Sequence, residues 1–405
     1  MRFLILILVA LTLCSRAFCA DSALRFLEDR VKNDPGDFTA QNLLASRYLD
    51  LLRNTGEDEW LAKARRASET SVNSVPAEVN TAGLGALGRV QLASHQFSAA
   101  RNSARRLVEI APQKATGFAI LGDALLELGD YSEASEAYKE LARRDEGGIE
   151  SKTRLARLAL VRGDLDAARE RFTSALAQTR ELSLPSPQLV AWCCVQLGQL
   201  YFGRGDWEKA EKQYAAALEA MPDYYAALDH IAELHAAREQ QPEAIRLYEK
   251  VIARVPRPEF CQALGDLYVF AGKLDAAKPW HERALATYLK SAEQNDARYF
   301  HHLAGFYCDS MENPGEALKW ARKDLEIRHS VFAHDTLAWA LYRNGEFAEA
   351  AAEMKKALSE GTKDAHLFFH ASMIFSANGD LAQGMGFLRR AADVNPHYNA
   401  FHEHR

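Results

Sequence analysis

Two consecutive segments of 34 residues decide the fold of this chain. Residues 191–224 read AWCCVQLGQLYFGRGDWEKAEKQYAAALEAMPDY, and residues 225–258 read YAALDHIAELHAAREQQPEAIRLYEKVIARVPRP. Several positions of the two segments agree in residue type and register, and both segments place small residues, ring-bearing residues and a proline at the same spacing. The matching residues of the first segment are Leu197, Gly198, Tyr201, Ala210, Tyr214, Ala217 and Pro222, and those of the second are Ile231, Ala232, His235, Ala244, Tyr248, Val251 and Pro256.

This spacing predicts a pair of antiparallel helices in each segment. Two helices pack closely only where small side chains separate their axes, so we expect Gly198 to lie against Ala210 and Ala217. Bulky residues such as Leu197 and Tyr214 would fill the space on either side. The proline after the second helix lacks an N–H group, so it ends that helix and turns the chain.

The order of residue types resembles the tetratricopeptide (TPR) repeat. The resemblance implies an all-α fold, a TPR-type α-solenoid in which about ten helix-turn-helix repeats form a right-handed superhelix. Each helix pair cannot bury its apolar stripe alone, so the stacking of neighbouring repeats stabilises it. The resemblance also implies a concave groove lined by the first helices, with groove-facing side chains at the second, fifth, ninth, twelfth and thirteenth positions of each repeat.

The repeats account for nearly the whole chain. They are expected to begin near residues 38, 81, 115, 149, 191, 225, 258, 297, 331 and 365. The expected organisation is a signal peptide (1–20), an N-terminal capping helix (21–37), a first part of the TPR array (38–178), an insertion that could act as a joint (179–190), a second part of the array (191–398) and a tail (399–405).

The first 20 residues predict export through the secretory pathway. Arg2 precedes a short apolar run, and small residues stand before the polar Asp21, which is the pattern of a signal peptide. The run is short for a membrane span, and Arg16 interrupts it. The expected location is the periplasm or the exterior of a bacterium, since the second half of the chain resembles exported bacterial TPR proteins. A lipid anchor or an uncleaved membrane anchor is the alternative.

Composition argues against several classes of partner. The chain has 405 residues, 48% hydrophobic and 26% charged, with a formal net charge of −6. This balance is typical of a soluble globular protein, and it argues against binding to nucleic acid or through a polybasic membrane patch. The four cysteines beyond the leader are expected to be buried free thiols, because Cys194 and Cys261 occupy the same repeat position two units apart.

No catalytic signature is present in the sequence. Residues 83–88 read GLGALG, which matches a dinucleotide-binding pattern, but they fall in the small-residue position of a predicted helix with no strand before them. We therefore expect no catalytic residue, no cofactor and no metal. Histidines are frequent in the C-terminal half, and His366 and His370 are four residues apart, so a metal-binding protein or an enzyme that uses these repeats is the alternative.

The groove positions of the last three repeats predict a binding site for a protein or peptide. Aromatic and arginine side chains on a concave surface bury large areas at low entropic cost. The predicted groove residues are Arg298, His301, Phe332, Asp335, Trp339, Tyr342, Arg343, His366, Phe369 and Met373. The corresponding positions near residue 225 are small and acidic, among them Ala226, Asp229 and Glu233, so the groove is expected to change along its length from acidic to aromatic and basic.

The sequence therefore predicts a non-catalytic, exported scaffold that binds a protein or peptide in the groove of a TPR superhelix. A structural subunit of a cell-envelope assembly is a second alternative. Association with the envelope and self-association through an exposed terminal repeat are both compatible with this organisation.

Overall fold

A computed structural model describes residues 22–294 and 296–398. The predicted leader and the predicted tail lie outside the described residues. Every regular element within the described ranges is helical. The helices are α1 (22–33), α2 (Phe38–Thr55), α3 (Glu59–Ser74), α4 (Thr81–Ala93), α5 (Phe97–Ile110), α6 (Ala115–Leu128), α7 (Tyr131–Arg144), α8 (Ile149–Val161), α9 (Leu165–Glu181), α10 (Pro187–Phe202), α11 (Trp207–Ala220), α12 (Tyr225–Ala237), α13 (Gln241–Arg254), α14 (Pro258–Phe270), α15 (Leu274–Glu293), α16 (Phe300–Gly305), α17 (Pro314–Leu325), α18 (Val331–Arg343), α19 (Phe347–Ala357), α20 (Ala365–Ala377) and α21 (Leu381–Val394).

The helices alternate as first and second members of repeats, and most first helices begin where the 34-residue spacing predicts. The helix α10 begins at Pro187, four residues before the predicted start, because Ser186 accepts a hydrogen bond from the Leu189 N–H group and the proline occupies the first turn. In the repeat near 297, a 3₁₀ turn (Ala297–Tyr299), α16 and a π-helix (Phe306–Ser310) together replace one regular first helix.

Close packing within a repeat depends on a glycine beneath a ring. A Cβ atom at Gly198 would collide with the ring of Tyr214, so this ring is the closest side chain rather than Ala210 or Ala217 as expected from the sequence. The two alanines are fully buried nearby. The same relation, 16 residues apart, joins Gly122 to Tyr138 and Gly265 to His281. In each of these repeats the ring of the second helix fills the space that the missing side chain of the glycine leaves.

Two other predictions from the sequence, on the glycine pattern and on the cysteines, are confirmed. Residues 83–88 lie inside α4, as the helical interpretation of the glycine pattern requires. The cysteines Cys193, Cys194, Cys261 and Cys308 are buried and free. None of the described helices is both long and apolar enough to cross a membrane.

The described residues divide into two compact units, one up to Ile120 and one from Leu121 onward. The division falls within α6 and not at the predicted insertion, residues 179–190. Around that insertion the core is continuous, because Phe172 and Leu176 of α9 belong to the same buried cluster as Val190 and Cys193 of α10. Whether the insertion bends stays a prediction.

The second unit closes on itself. The Leu128 carbonyl accepts a hydrogen bond of 2.9 Å from the His329 N–H group, and the Tyr131 hydroxyl accepts one of 2.8 Å from the Val331 N–H group. The Thr362 hydroxyl donates to the Val161 carbonyl in the same way. We call these contacts between turns about 200 residues apart the seam; its segments are residues 128–131, 161–163 and 202–207 on one side and 329–331, 361–363 and 395–397 on the other.

Candidate ligand-binding cavity

The second unit contains an inner cavity of about 510 Å³. Its lining comes from the first helices of six successive repeats, namely α10, α12, α14, α16 with the following π-helix, α18 and α20. This agrees with the groove that the TPR resemblance implies. A second cavity of about 550 Å³ runs along the seam and shares Gln199, Gly203, His301, Phe332 and Asp364 with the inner cavity.

Five of the predicted groove residues line the inner cavity: His301, Phe332, Asp335, Trp339 and His366. Phe332 is 49% exposed and offers an apolar surface to a ligand. Trp339 is only 7% exposed, because its ring stacks on His370 at 4.0 Å between centroids. Trp339 therefore forms part of the cavity wall rather than a freely exposed anchor.

The other five predicted residues are not part of that lining. Arg298 forms an ion pair of 2.8 Å with Asp296, and Arg343 forms one with Glu312. Tyr342 stacks behind Trp339 at 4.8 Å between ring centroids, Phe369 lies 5.4 Å from the ring of Tyr398, and Met373 is exposed. Their contribution to ligand binding stays a prediction.

Carboxylates give the inner cavity its electrostatic character. The described lining includes one arginine, Arg257, and six carboxylates: Asp229, Glu233, Glu259, Asp309, Asp335 and Asp364. The acidic positions near residue 225 and the aromatic positions of the last repeats thus face the same space, because the second unit closes on itself. The sequence predicted that acidic and aromatic residues would lie at opposite ends of a long groove, whereas in the structure both kinds of residue line one cavity.

Asp309 is a functional candidate that the sequence analysis missed. It lies in the π-helix, where the backbone register departs from that of an α-helix and changes which side chains face inward. The Trp339 indole N–H group donates to both carboxylate oxygens of Asp309, at 3.1 and 3.2 Å. No feature of the 34-residue pattern marks this position.

Burial perturbs two of the carboxyl groups in the lining. Burial raises the pKa of Asp335 to about 7; nearby His366 opposes this shift, and Asp309 adds to it. Burial also raises the pKa of Asp364; the Leu367 N–H group opposes this shift, and Asp335 adds to it. Both pKa shifts mean that these two carboxyl groups are harder to ionise than exposed ones, and a cationic group entering the cavity would favour their ionised form.

Asp335, His366 and His370 come together in the wall of the inner cavity. The His370 Nδ1 atom lies 3.0 Å from Asp335 Oδ1 and 3.2 Å from Asp335 Oδ2. The rings of His366 and His370 are 3.9 Å apart between centroids. One ligand atom from each of the three residues lies within 4.8 Å of the others, so among the described residues this group could hold a metal ion.

The sequence matches the tetratricopeptide-repeat family. One family model matches residues 149–223, and another matches residues 86–149, 195–257 and 336–399. Together these segments span more than half of the chain, and the chain belongs to the tetratricopeptide-repeat family. No curated protein sequence matches it.

Solved structures with a similar fold include two of the human IFIT1 dimer, one with PPP-AAAA and one with m7Gppp-AAAA. The first shares 14% sequence identity with this chain. The match covers 92% of this chain and 86% of the IFIT1 chain, with a TM-score of 0.49. The second is 14% identical, covers 91% and 84%, and has a TM-score of 0.48. PilF of Pseudomonas aeruginosa is 17% identical, covers 54% of this chain and 96% of its own, and has a TM-score of 0.41. Because the sequence identities and TM-scores are low, these structures do not indicate what this chain binds, and its ligand has to be inferred from its own residues. The absence of nucleic-acid binding stays a prediction.

Proposed function

We propose that this TPR protein is a non-catalytic scaffold that binds a basic segment of a protein or peptide in the inner cavity. The observation that carries the proposal is that the closed second unit brings six carboxylates and the aromatic side chains of α10, α12, α14 and α18 to one cavity. A volume of about 510 Å³ is in the range of ligand pockets, and it suits a short peptide segment or a few side chains.

The chemistry of the lining favours a lysine or arginine side chain next to an apolar one. A cation entering the cavity would gain Coulomb energy from Asp229, Glu233 and Glu259, which lie on the first helices of two successive repeats. The aromatic faces of Phe332 and Tyr225 can contact both the cation and the apolar neighbour. A peptide with acidic side chains would meet repulsion at the same positions.

A glycine in the cavity wall provides a sharp test. Gly305 ends α16 and lines the inner cavity, and a Cβ atom there would meet no atom within 4 Å. Gly305→Phe should therefore fill the cavity without displacing the wall. The matched control is Gly386→Phe, because Gly386 lies inside α21, outside that lining, and has equally open space around its Cβ position.

The probe is a fluorescent peptide selected from a random library displayed on phage and panned against the unaltered protein. We expect the selected peptides to be basic, and Gly305→Phe to weaken their binding at least about tenfold in fluorescence anisotropy. Gly386→Phe should bind as the unaltered protein does. Raising the salt from about 50 mM to about 500 mM should weaken binding.

Two results would overturn the proposal. Equal binding by Gly305→Phe and the unaltered protein would place the peptide site elsewhere. Failure to select any peptide, together with binding of a single-stranded RNA oligonucleotide that Gly305→Phe abolishes, would assign the cavity to nucleic acid.

Export is the second part of the proposal and rests on residues 1–20. A basic start, an apolar run and small residues before Asp21 support a cleaved signal peptide. The mass of the protein purified from its natural source should correspond to a chain that begins near Asp21. An intact Met1, or a lipid on Cys14 or Cys19, would contradict cleavage by a secretory signal peptidase.

A further inference from the structure

We propose that Asp335, His366 and His370 bind a divalent transition-metal ion of the zinc type in the wall of the inner cavity. This inference goes beyond peptide binding, since it names a separate ligand with its own donor atoms. Two imidazoles and one carboxylate are ligands that Zn²⁺ accepts in proteins, with a fourth position left for water or another ligand.

The backbone places the three donors in a suitable arrangement. His366 and His370 are four residues apart in α20, so both rings project from the same face of that helix. Asp335 comes from α18, the first helix of the preceding repeat. Metal–ligand bonds of about 2.0–2.2 Å in a tetrahedron separate ligand atoms by roughly 3.3 Å. The distance of 3.0 Å from His370 Nδ1 to Asp335 Oδ1 is close to that separation, and a donor atom of His366 lies within 4.8 Å of the other two.

Neighbouring side chains hold the site in position. The Trp339 indole lies nearly parallel to the His370 ring, at 4.0 Å between centroids and an interplanar angle of 10°. The hydrogen bonds from Trp339 to Asp309 fix the indole in turn. Asp335 and His370 are buried, whereas His366 is half-buried and lies nearer the solvent. All three residues line the inner cavity, which gives an ion a path to them.

Other histidine–carboxylate pairs in the described part of the chain lack the third donor. His281 lies 2.8 Å from Asp266, and His334 lies 2.8 Å from Glu353. Each of these pairs can form a hydrogen bond, but two ligands are fewer than a stable zinc site requires. Asp335, His366 and His370 therefore differ from these pairs by having a third donor. The pairs can serve as controls for metal binding by a single histidine and carboxylate.

The test is titration of the full chain with Co²⁺, which takes zinc ligands and, unlike Zn²⁺, absorbs visible light. His402 and His404 are replaced by alanine in every sample, because these tail histidines could bind metal themselves. We expect one equivalent of Co²⁺ to give the visible absorption of a low-coordinate cobalt site, and one equivalent of Zn²⁺ to displace it. His366→Ala should abolish the absorption, and Asp335→Asn should weaken cobalt binding at least about tenfold.

His334→Ala is the matched control and should leave cobalt binding unchanged. Circular dichroism of each variant checks that the helices remain. Absence of cobalt absorption in the parent protein, or equal cobalt binding by folded His366→Ala, would overturn the site. Equal losses in His334→Ala and His366→Ala would likewise show that the signal does not come from the three residues. Because the titration contains no peptide, its failure leaves the test of peptide binding independent.

Discussion

The turns at the seam and the open turns of the second unit share one conformation but have different surroundings. Gly129, Gly163 and Gly205 have positive φ angles of +90°, +67° and +72°, and a Cβ atom at each would strike the returning chain. Gly272 and Gly345 have φ angles of +71° and +82°, and a Cβ atom there would meet nothing within 4 Å. A glycine in the turn therefore serves two purposes. It allows the positive φ angle at all five turns, and at the seam it also allows the returning chain to approach closely.

The consequence for function is that the seam keeps the inner cavity closed. Acidic residues on α12 and aromatic residues on α18 face one cavity only because the second unit returns to contact its own earlier turns. Substitutions at the seam should therefore affect both stability and ligand binding, whereas substitutions at open turns should affect stability alone. This difference can be tested with variants of one chemical type.

The largest effect is expected for Gly163→Ala. The alanine would combine an unfavourable positive φ, worth about 1–2 kcal/mol, with a clash against the Gly361 carbonyl oxygen, worth about 1–3 kcal/mol. The expected result is a loss of stability of about 2–5 kcal/mol and weaker peptide binding, measured by urea denaturation and fluorescence anisotropy.

Gly272→Ala is the control for that variant. It has the same φ penalty and no clash, so it should cost about 1–2 kcal/mol and leave peptide binding unchanged. Equal costs for the two variants would show that the seam does not form in solution.

A smaller and more local effect is expected for Tyr131→Phe. The Tyr131 hydroxyl accepts the Val331 N–H group across the seam, and burial raises the pKa of this tyrosine to about 12. Its removal leaves a buried amide without its acceptor, which costs about 1–3 kcal/mol. Hydrogen exchange at the Val331 amide should accelerate. Tyr268→Phe is the control, since the Tyr268 hydroxyl lies exposed at 3.4 Å from Glu249.

Much of the architecture could be predicted from the sequence, because each repeat forms through contacts among neighbouring residues. The first helices begin near the predicted positions, and the four cysteines are buried as expected. The sequence analysis did not identify the side chain closest to Gly198, since residue type alone does not show that the Tyr214 ring fills the space above the glycine.

Closure of the second unit could not be predicted, because it depends on small rotations added over about 200 residues. The candidate site was therefore only partly predicted. Groove positions in the last repeats identified Phe332 and Trp339, but no pattern in the sequence indicates that Asp229 lines the same cavity. Asp309 depends on a π-helix whose register no repeat pattern records.

The smallest effect is expected where glycine is introduced into a turn rather than removed from one. Glu239 occupies the turn position that glycine takes in neighbouring repeats, and it has a φ of +58°. Its side chain is exposed, so this strain is not offset by burial. Glu239→Gly should relieve the strain of about 1–2 kcal/mol but lose about 0.5–1 kcal/mol to the greater entropy of unfolded glycine, for a net gain of between about 0 and 1.5 kcal/mol. A raised urea midpoint with unchanged peptide binding would show that this turn, like Gly272, affects stability without shaping the cavity; a lowered midpoint would contradict the proposed strain.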